Sequence, residues 1–162
     1  MPIHPIVRYP DPRLQAVALP VTAFDDALRQ LAADLLETMR AAPGIGMTAC
    51  HIGVALRLVV IELAGEEPVF YVNPEIVWSS PERAGHPEGS VSMPGVSETV
   101  ERPARVRARY QDLAGITHEI EAEGLLAVCL QHEIDQLDGI FWLRRLSALR
   151  RDKMIRKFGK RT

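Results

Sequence analysis

The chain has 162 residues, 47% hydrophobic and 25% charged, an ordinary composition for a soluble globular protein and enough for one domain. The start lacks the basic-then-apolar pattern of a signal peptide and Pro2, Pro5 and Pro10 would interrupt an early helix, no apolar run nears the ~20 residues of a membrane span, and two cysteines are too few for a disulfide framework, so a reduced, cytoplasmic protein is expected. The net charge of −2 hides an asymmetry: residues 144–162 hold nine Lys and Arg against Asp152 alone, a +8 tail on a −10 body, which suits either an anionic partner or a solvated terminal helix.

Thr22 can cap a helix over about 23–41, with Asp25 and Asp26 suiting its positive end. Phe24, Leu28, Leu31, Leu35 and Met39 recur at helical spacing as a core stripe, and Pro43-Gly44-Ile45-Gly46 then breaks the helix. Leu56 to Ile61 reads as a strand. Val69 to Val72 reads as another, with Pro68 at its start and Asn73-Pro74 closing it. Arg105-Val106-Arg107-Ala108-Arg109-Tyr110 alternates polar and apolar as a half-buried strand does. Gly115 marks a turn, and Thr117 to Ala122 returns as the second strand of a hairpin. Leu125 to Leu137 is a helix with Leu126, Leu130, Ile134 and Leu137 on its apolar side, closed near Gly139. A last helix runs from about Ser147 to Phe158, with Leu149 and Met154 or Ile155 expected against the body. Mostly antiparallel strands around one buried helix, with helices at both ends, make an α+β fold over residues 1–162.

Residues 131–139 read Gln-His-Glu-Ile-Asp-Gln-Leu-Asp-Gly. A zinc-hydrolase helix of the metalloprotease type carries His-Glu-x-x-His, with both histidines on one face and the Glu as general base. Here Gln136 stands at the second histidine position. Two distant segments have an equally unusual look: Gly44-Ile45-Gly46-Met47-Thr48-Ala49-Cys50-His51-Ile52-Gly53, and Glu88-Gly89-Ser90-Val91-Ser92-Met93-Pro94-Gly95. In this order and spacing the three segments resemble the motifs of peptide deformylases, which remove the formyl group from the initiator methionine of new bacterial proteins. The resemblance runs from Ile6-Val7-Arg8-Tyr9 through Arg102-Pro103 and Gly124-Leu125-Leu126-Ala127 to Arg145-Leu146-Ser147.

The resemblance implies the deformylase fold around a central His-Glu-x-x-Gln helix, and a site that in the family holds Fe²⁺ or Zn²⁺. It puts a metal-binding cysteine where Ser90 stands, and metal-binding histidines at His132 and where Gln136 stands. It makes Glu133 the acid/base and puts His51 in place of the glutamine that binds the developing oxyanion. Ile45, Gly46, Val91, Leu125, Val128 and Cys129 are the implied substrate-binding residues, several of them forming an apolar pocket for a methionine side chain. Met47 and Thr48 replace the usual Leu and Ala, and Cys50 the usual Pro. A protonated hydroxyl and a neutral amide oxygen are poor transition-metal donors beside a thiolate and an imidazole. Loss of a ligand's hydrogen-bonding partner alone typically lowers metal affinity about 10–100-fold, and loss of two ligands should lower it much further. No metal or other cofactor is therefore expected, and Glu133 would have no activated water to serve.

Plainer roles are open for the same residues. His132 can be a hydrogen-bonded core histidine, Glu133 a buried carboxylate held by neighbours including the backbone near Gly46, and Ser90 and Gln136 partners of His132. Cys129 reads as a small core group or pocket wall, Cys50 as inert, and His4, His86 and His118 as loop or strand-surface residues. The expected protein is a non-catalytic or feebly catalytic deformylase relative that accepts an N-terminal Met or formyl-Met peptide. Two alternatives stay open. One is a working hydrolase with metal rearranged onto His51, His132 and Glu133. The other is a binding module whose basic tail engages ribosomal RNA or another polyanion, since the resemblance implies a protein that meets new chains at the ribosome.

Overall fold

In the computed structural model, which describes residues 3–160, helix α1 (Asp26–Ala41) starts later than a Thr22 cap would place it. Asp25 is the cap instead. Its carboxylate accepts the N–H of Leu28 at 3.0 Å and sits at the positive end of the helix. Phe24 thus precedes the helix and lies over Gly115, while Leu28, Leu35 and Met39 form the buried stripe. Pro2 and Arg161 lie outside the described residues.

Five strands form one antiparallel sheet in the order β1-β2-β3-β6-β7: β1 (Gly46–Thr48), β2 (Leu58–Ile61), β3 (Val69–Ser79), β6 (Arg105–Gln111) and β7 (Thr117–Glu123). Between β3 and β6 the chain leaves the sheet as a separate antiparallel hairpin, β4 (Arg83–Ser90) and β5 (Met93–Pro103). Strands β2 and β3 pair with Val59 opposite Tyr71 and Val60 opposite Phe70. Asn73-Pro74 does not close β3, contrary to expectation. Asn73 takes φ of 51°, the pairing with β6 slips between Val72 and Glu75, and the strand continues. The bulge removes the need for Pro74 to donate to the ladder. Asn73 holds it by accepting the N–H of Val21 at 2.8 Å and donating to the Val21 carbonyl at 2.9 Å.

Helix α2 (Gly124–Leu137) packs on the inner face of the sheet, where Ala127, Leu130 and Leu137 join Val59, Val106 and Ala108 in one core. It stops where expected. Gly139 has φ of 76°, and a Cβ there would lie 2.5 Å from the carbonyl oxygen of Gln15, so no other residue fits without moving backbone. Helix α3 (Ala148–Gly159) is capped by the Ser147 hydroxyl and buries Met154 and Phe158 against Trp142 and Met93. Leu149 is 79% exposed, a correction to the expected packing. Five residues before Met154, it falls on the far side of a helix whose buried pair is spaced i, i+4. Among the described residues, no helix is long and apolar enough to cross a membrane.

Candidate functional site

The break after α1, the β4–β5 turn and helix α2 enclose a cavity of about 410 Å³. Its apolar wall comes from Ile45, Val91, Leu125, Val128 and Cys129, with Gly46 beside them. At its polar end stand His51, Glu88, Ser90, His132 and Glu133. The sequence-predicted residues thus converge on one cavity, with one exception: Gln136 is not among its lining. Two backbone bonds from the N-terminal segment tie its walls together, Val7 N–H to the His51 carbonyl at 2.7 Å and Tyr9 N–H to the Ser92 carbonyl at 2.9 Å. Gly46 lies close against Glu133: a Cβ there would sit 2.7 Å from Oε2, so a larger residue would displace the Glu133 carboxylate.

His132 does not bond to Ser90 or Gln136 as expected. It donates Nδ1–H to Oε1 of Glu88 at 2.8 Å, because a carboxylate one strand away outcompetes a hydroxyl and an amide as acceptor. Glu88 in turn receives Nε and Nη2 of Arg102 at 2.7 and 2.9 Å, and Arg102 Nη1 reaches Asp135 at 2.8 Å. Arg145 closes the series with two bonds to Asp135, at 2.8 and 2.7 Å. Burial works against the ionised Glu88, yet its bonds to His132 and Arg102 outweigh this and hold its carboxyl below the usual range. For His132 burial alone would lower the pKa, but the Glu133 and Glu88 carboxylates together raise it.

Gln136 turns the other way, donating its amide to the Leu14 carbonyl at 2.7 Å. Ser90 accepts the N–H of Ser92 at 3.0 Å, which steadies the β4–β5 turn. Glu133 is 5% exposed, and its Oε1 is buried without a hydrogen-bond partner among the described residues. Burial raises its pKa above the ordinary carboxylate value. His51 is held by Thr48, whose N–H and hydroxyl lie 3.0 and 2.9 Å from Nδ1. Burial, reinforced by the charge of His132, pushes the His51 pKa down to about 3, so its ring is neutral near pH 7. Burial likewise pushes the Cys129 thiol up to about 12, leaving it an inert wall group. Among the described residues, no group of three or more His, Cys, Asp and Glu is disposed to hold a metal ion.

Sequence reasoning missed the Glu88–Arg102–Asp135–Arg145 network. Both ends of its first pair lie inside matched segments, and Asp135 stands i+3 from His132 on α2, so a search for charges flanking the motif histidine would have found it. It also missed His86, which donates Nδ1–H to the Pro87 carbonyl at 2.7 Å and lines the cavity rim. His4 instead meets Asp34, and His118 stacks on Tyr110 and meets Asp112, both away from the cavity.

The sequence model of the family described as "Polypeptide deformylase" matches residues 3–152. A "Peptide deformylase-like" protein of Bradyrhizobium diazoefficiens is 63% identical over 161 residues, covering 99% of this chain and 95% of that protein. A "Peptide deformylase" of Bartonella tribocorum is 48% identical over 167 residues, covering 99% and 94%. The crystal structure of a peptide deformylase from Legionella pneumophila is similar with a TM-score of 0.92 at 43% identity, covering 98% and 94%.

Proposed function

The chain belongs to the polypeptide deformylase family, and from that premise we propose that it is a non-catalytic or feebly catalytic member which retains a pocket for methionyl or formyl-methionyl peptide ends. The observation that carries this reading is the orientation of Gln136. Its amide nitrogen is committed to Leu14, so the one side chain standing for a lost histidine does not face the cavity. Ser90 offers only a hydroxyl, already accepting from the backbone. Donors of this kind do not fit Fe²⁺ or Zn²⁺, which call for thiolate or imidazole in such a site. The rearranged metal site is disfavoured as well, because the nitrogen of His51 that is free of Thr48 carries hydrogen. A cytoplasmic setting accompanies the proposal.

Protein purified from iron- and zinc-supplemented cells is expected to hold far less than one equivalent of either metal and to leave formyl-methionyl peptides intact. Elemental analysis and a formate-release assay read both. One metal per chain that disappears with His132→Ala, accompanied by formate release, would overturn the reading.

A second reading, binding of a polyanion such as ribosomal RNA by the tail, is favoured by one observation. Among the described residues, Arg150, Arg151, Lys153, Arg156 and Lys157 enter no ion pair, and Arg145 alone of the tail cations does. Self-neutralisation by the acidic body thus has little support. Truncation would remove the buried Met154 and Phe158, so charge reversal is the cleaner test. Lys153→Glu with Lys157→Glu should abolish low-salt co-sedimentation with ribosomes, and the wild-type interaction should fall steeply as salt rises. Equal pelleting of both proteins would eliminate the tail as an anchor.

A further inference from the structure

Helix α2 separates two cavities that share no lining residue. His132 and Glu133 face the first. Gln131, Ile134 and Asp135, spaced i, i+3 and i+4 on another side of the helix, line a second cavity of about 310 Å³. The end of β3, the start of β4 and the end of β5 close it.

Its lining carries charge of both signs. Arg102, with a side chain 6% exposed, is the buried floor. It serves Glu88 and Asp135, and Asp135 is shared with Arg145, so these charges satisfy one another. Two others are not satisfied. Among the described residues neither Arg83 nor Glu101 enters an ion pair, and the Arg83 guanidinium has only the main-chain carbonyl of Glu101, at 2.9 Å. On the β4–β5 ladder Arg83 stands opposite Pro103 and Glu101 opposite Gly85. Diagonal neighbours of this kind lie about 7–8 Å apart, far enough to receive a small doubly charged molecule between them.

Gln131 adds an acceptor. Both hydrogens of its Nε2 are donated, to the carbonyls of Pro103 and Ala127 at 3.0 Å each, which leaves Oε1 as the end open to the cavity. Ile76 and Ile134 supply an apolar surface beside these groups. An unpaired guanidinium, an unpaired carboxylate, a spare amide oxygen and an apolar wall are the complement of an amino acid zwitterion.

We infer that the second cavity binds a free α-amino acid with an aliphatic side chain. Arg83 holds the carboxylate, Glu101 and Oε1 of Gln131 hold the ammonium, and the side chain rests on Ile76 and Ile134. A plain anion fits less well, because Glu101 would repel it, and a plain amine would meet the same objection from Arg83. The site stands apart from the methionyl pocket proposed above, and its failure would leave that pocket untouched.

Titration of the full-length, nitrogen-labelled protein with L-leucine, followed by NMR, tests the inference. Amide signals of Arg83, Glu101 and Gln131 should move together at millimolar L-leucine or below, while those of Val91 and Leu125 in the first cavity stay in place. Isocaproate, which lacks the ammonium, and isoamylamine, which lacks the carboxylate, should each bind at least about tenfold more weakly, the scale of one charge-assisted bond. Arg83→Met should weaken L-leucine binding by about tenfold or more, and Arg83→Lys by less, since lysine keeps the charge but not the planar fork. Arg83 is exposed and outside any ion pair, so both variants should melt with the wild type. Absence of any shift at millimolar L-leucine, shifts confined to the first cavity, or wild-type affinity in Arg83→Met would each overturn the inference. Tighter binding of isocaproate or inorganic phosphate than of L-leucine would overturn it too, by marking a plain anion site.

Discussion

Arg102→Met should destabilise the protein by about 3–5 kcal/mol, the range found when one partner of a buried ion pair is removed. The Arg102 and Glu88 side chains are 6% and 3% exposed, so the Glu88 carboxylate cannot turn to water, while Asp135, 13% exposed, keeps only Arg145. Methionine fills the volume but leaves Glu88 and Asp135 facing each other's charge with fewer donors. At about 2–4 °C per kcal/mol for a chain of this size, the melting temperature should drop by roughly 10 °C. Arg109→Met is the matched control. Arg109 also joins two carboxylates, Glu75 and Glu119, but its side chain is 50% exposed, and such pairs contribute about 0–1 kcal/mol. Comparable melting of the two variants would mean that the buried network is structurally dispensable.

The readable parts of this fold are those whose side chains alternate with burial. The α1 stripe, the β6–β7 hairpin and the limits of α2 follow from apolar spacing plus Gly115 and Gly139, and the structure has them at nearly those places. The β4–β5 hairpin escapes the same reasoning. In β4 only Glu88 is buried, and glycines and a proline interrupt the rest, so ladder bonds hold the strand while its side chains announce nothing. A helix cap is similarly ambiguous when Thr22, Asp25 and Asp26 lie within one turn. The side chain that reaches Leu28 wins.

The site divides along the same line. Membership was legible, because three motifs in order select residues that meet in one cavity. Orientation was not. Gln136 bonds to a carbonyl 122 positions away in sequence, and His132 to a carboxylate 44 positions away, partners that only the closed fold supplies. The Thr48–His51 contact is local, but its consequence for the tautomer depends on a donor belonging to the backbone, which no residue pattern encodes.

Restoring two ligands, Ser90→Cys with Gln136→His, should turn the protein into a metal-binding hydrolase. Each replaced group returns a thiolate or imidazole beside His132, whose Nδ1–H is already oriented by Glu88, as metal-ligating histidines usually require. Affinity for Zn²⁺ or Fe²⁺ should rise by far more than about 100-fold, since even loss of such an orienting partner is worth 10–100-fold. With a metal to lower the pKa of bound water, release of formate from formyl-methionyl peptides should exceed the parent rate by at least about a thousandfold. The introduced imidazole must leave the Leu14 carbonyl that Gln136 now serves, so a modest loss of stability should accompany the gain. Adding His51→Gln should bring little further rate, less than about tenfold, because His51 already directs an N–H at the cavity. It should also lower stability by about 1–3 kcal/mol, since the buried Thr48 N–H loses its acceptor. A double variant that binds metal through His132 yet releases no formate would place the block elsewhere. Met47, Thr48 and Cys50, all at most 3% exposed behind the His51 end of the cavity, would then be the first positions to exchange.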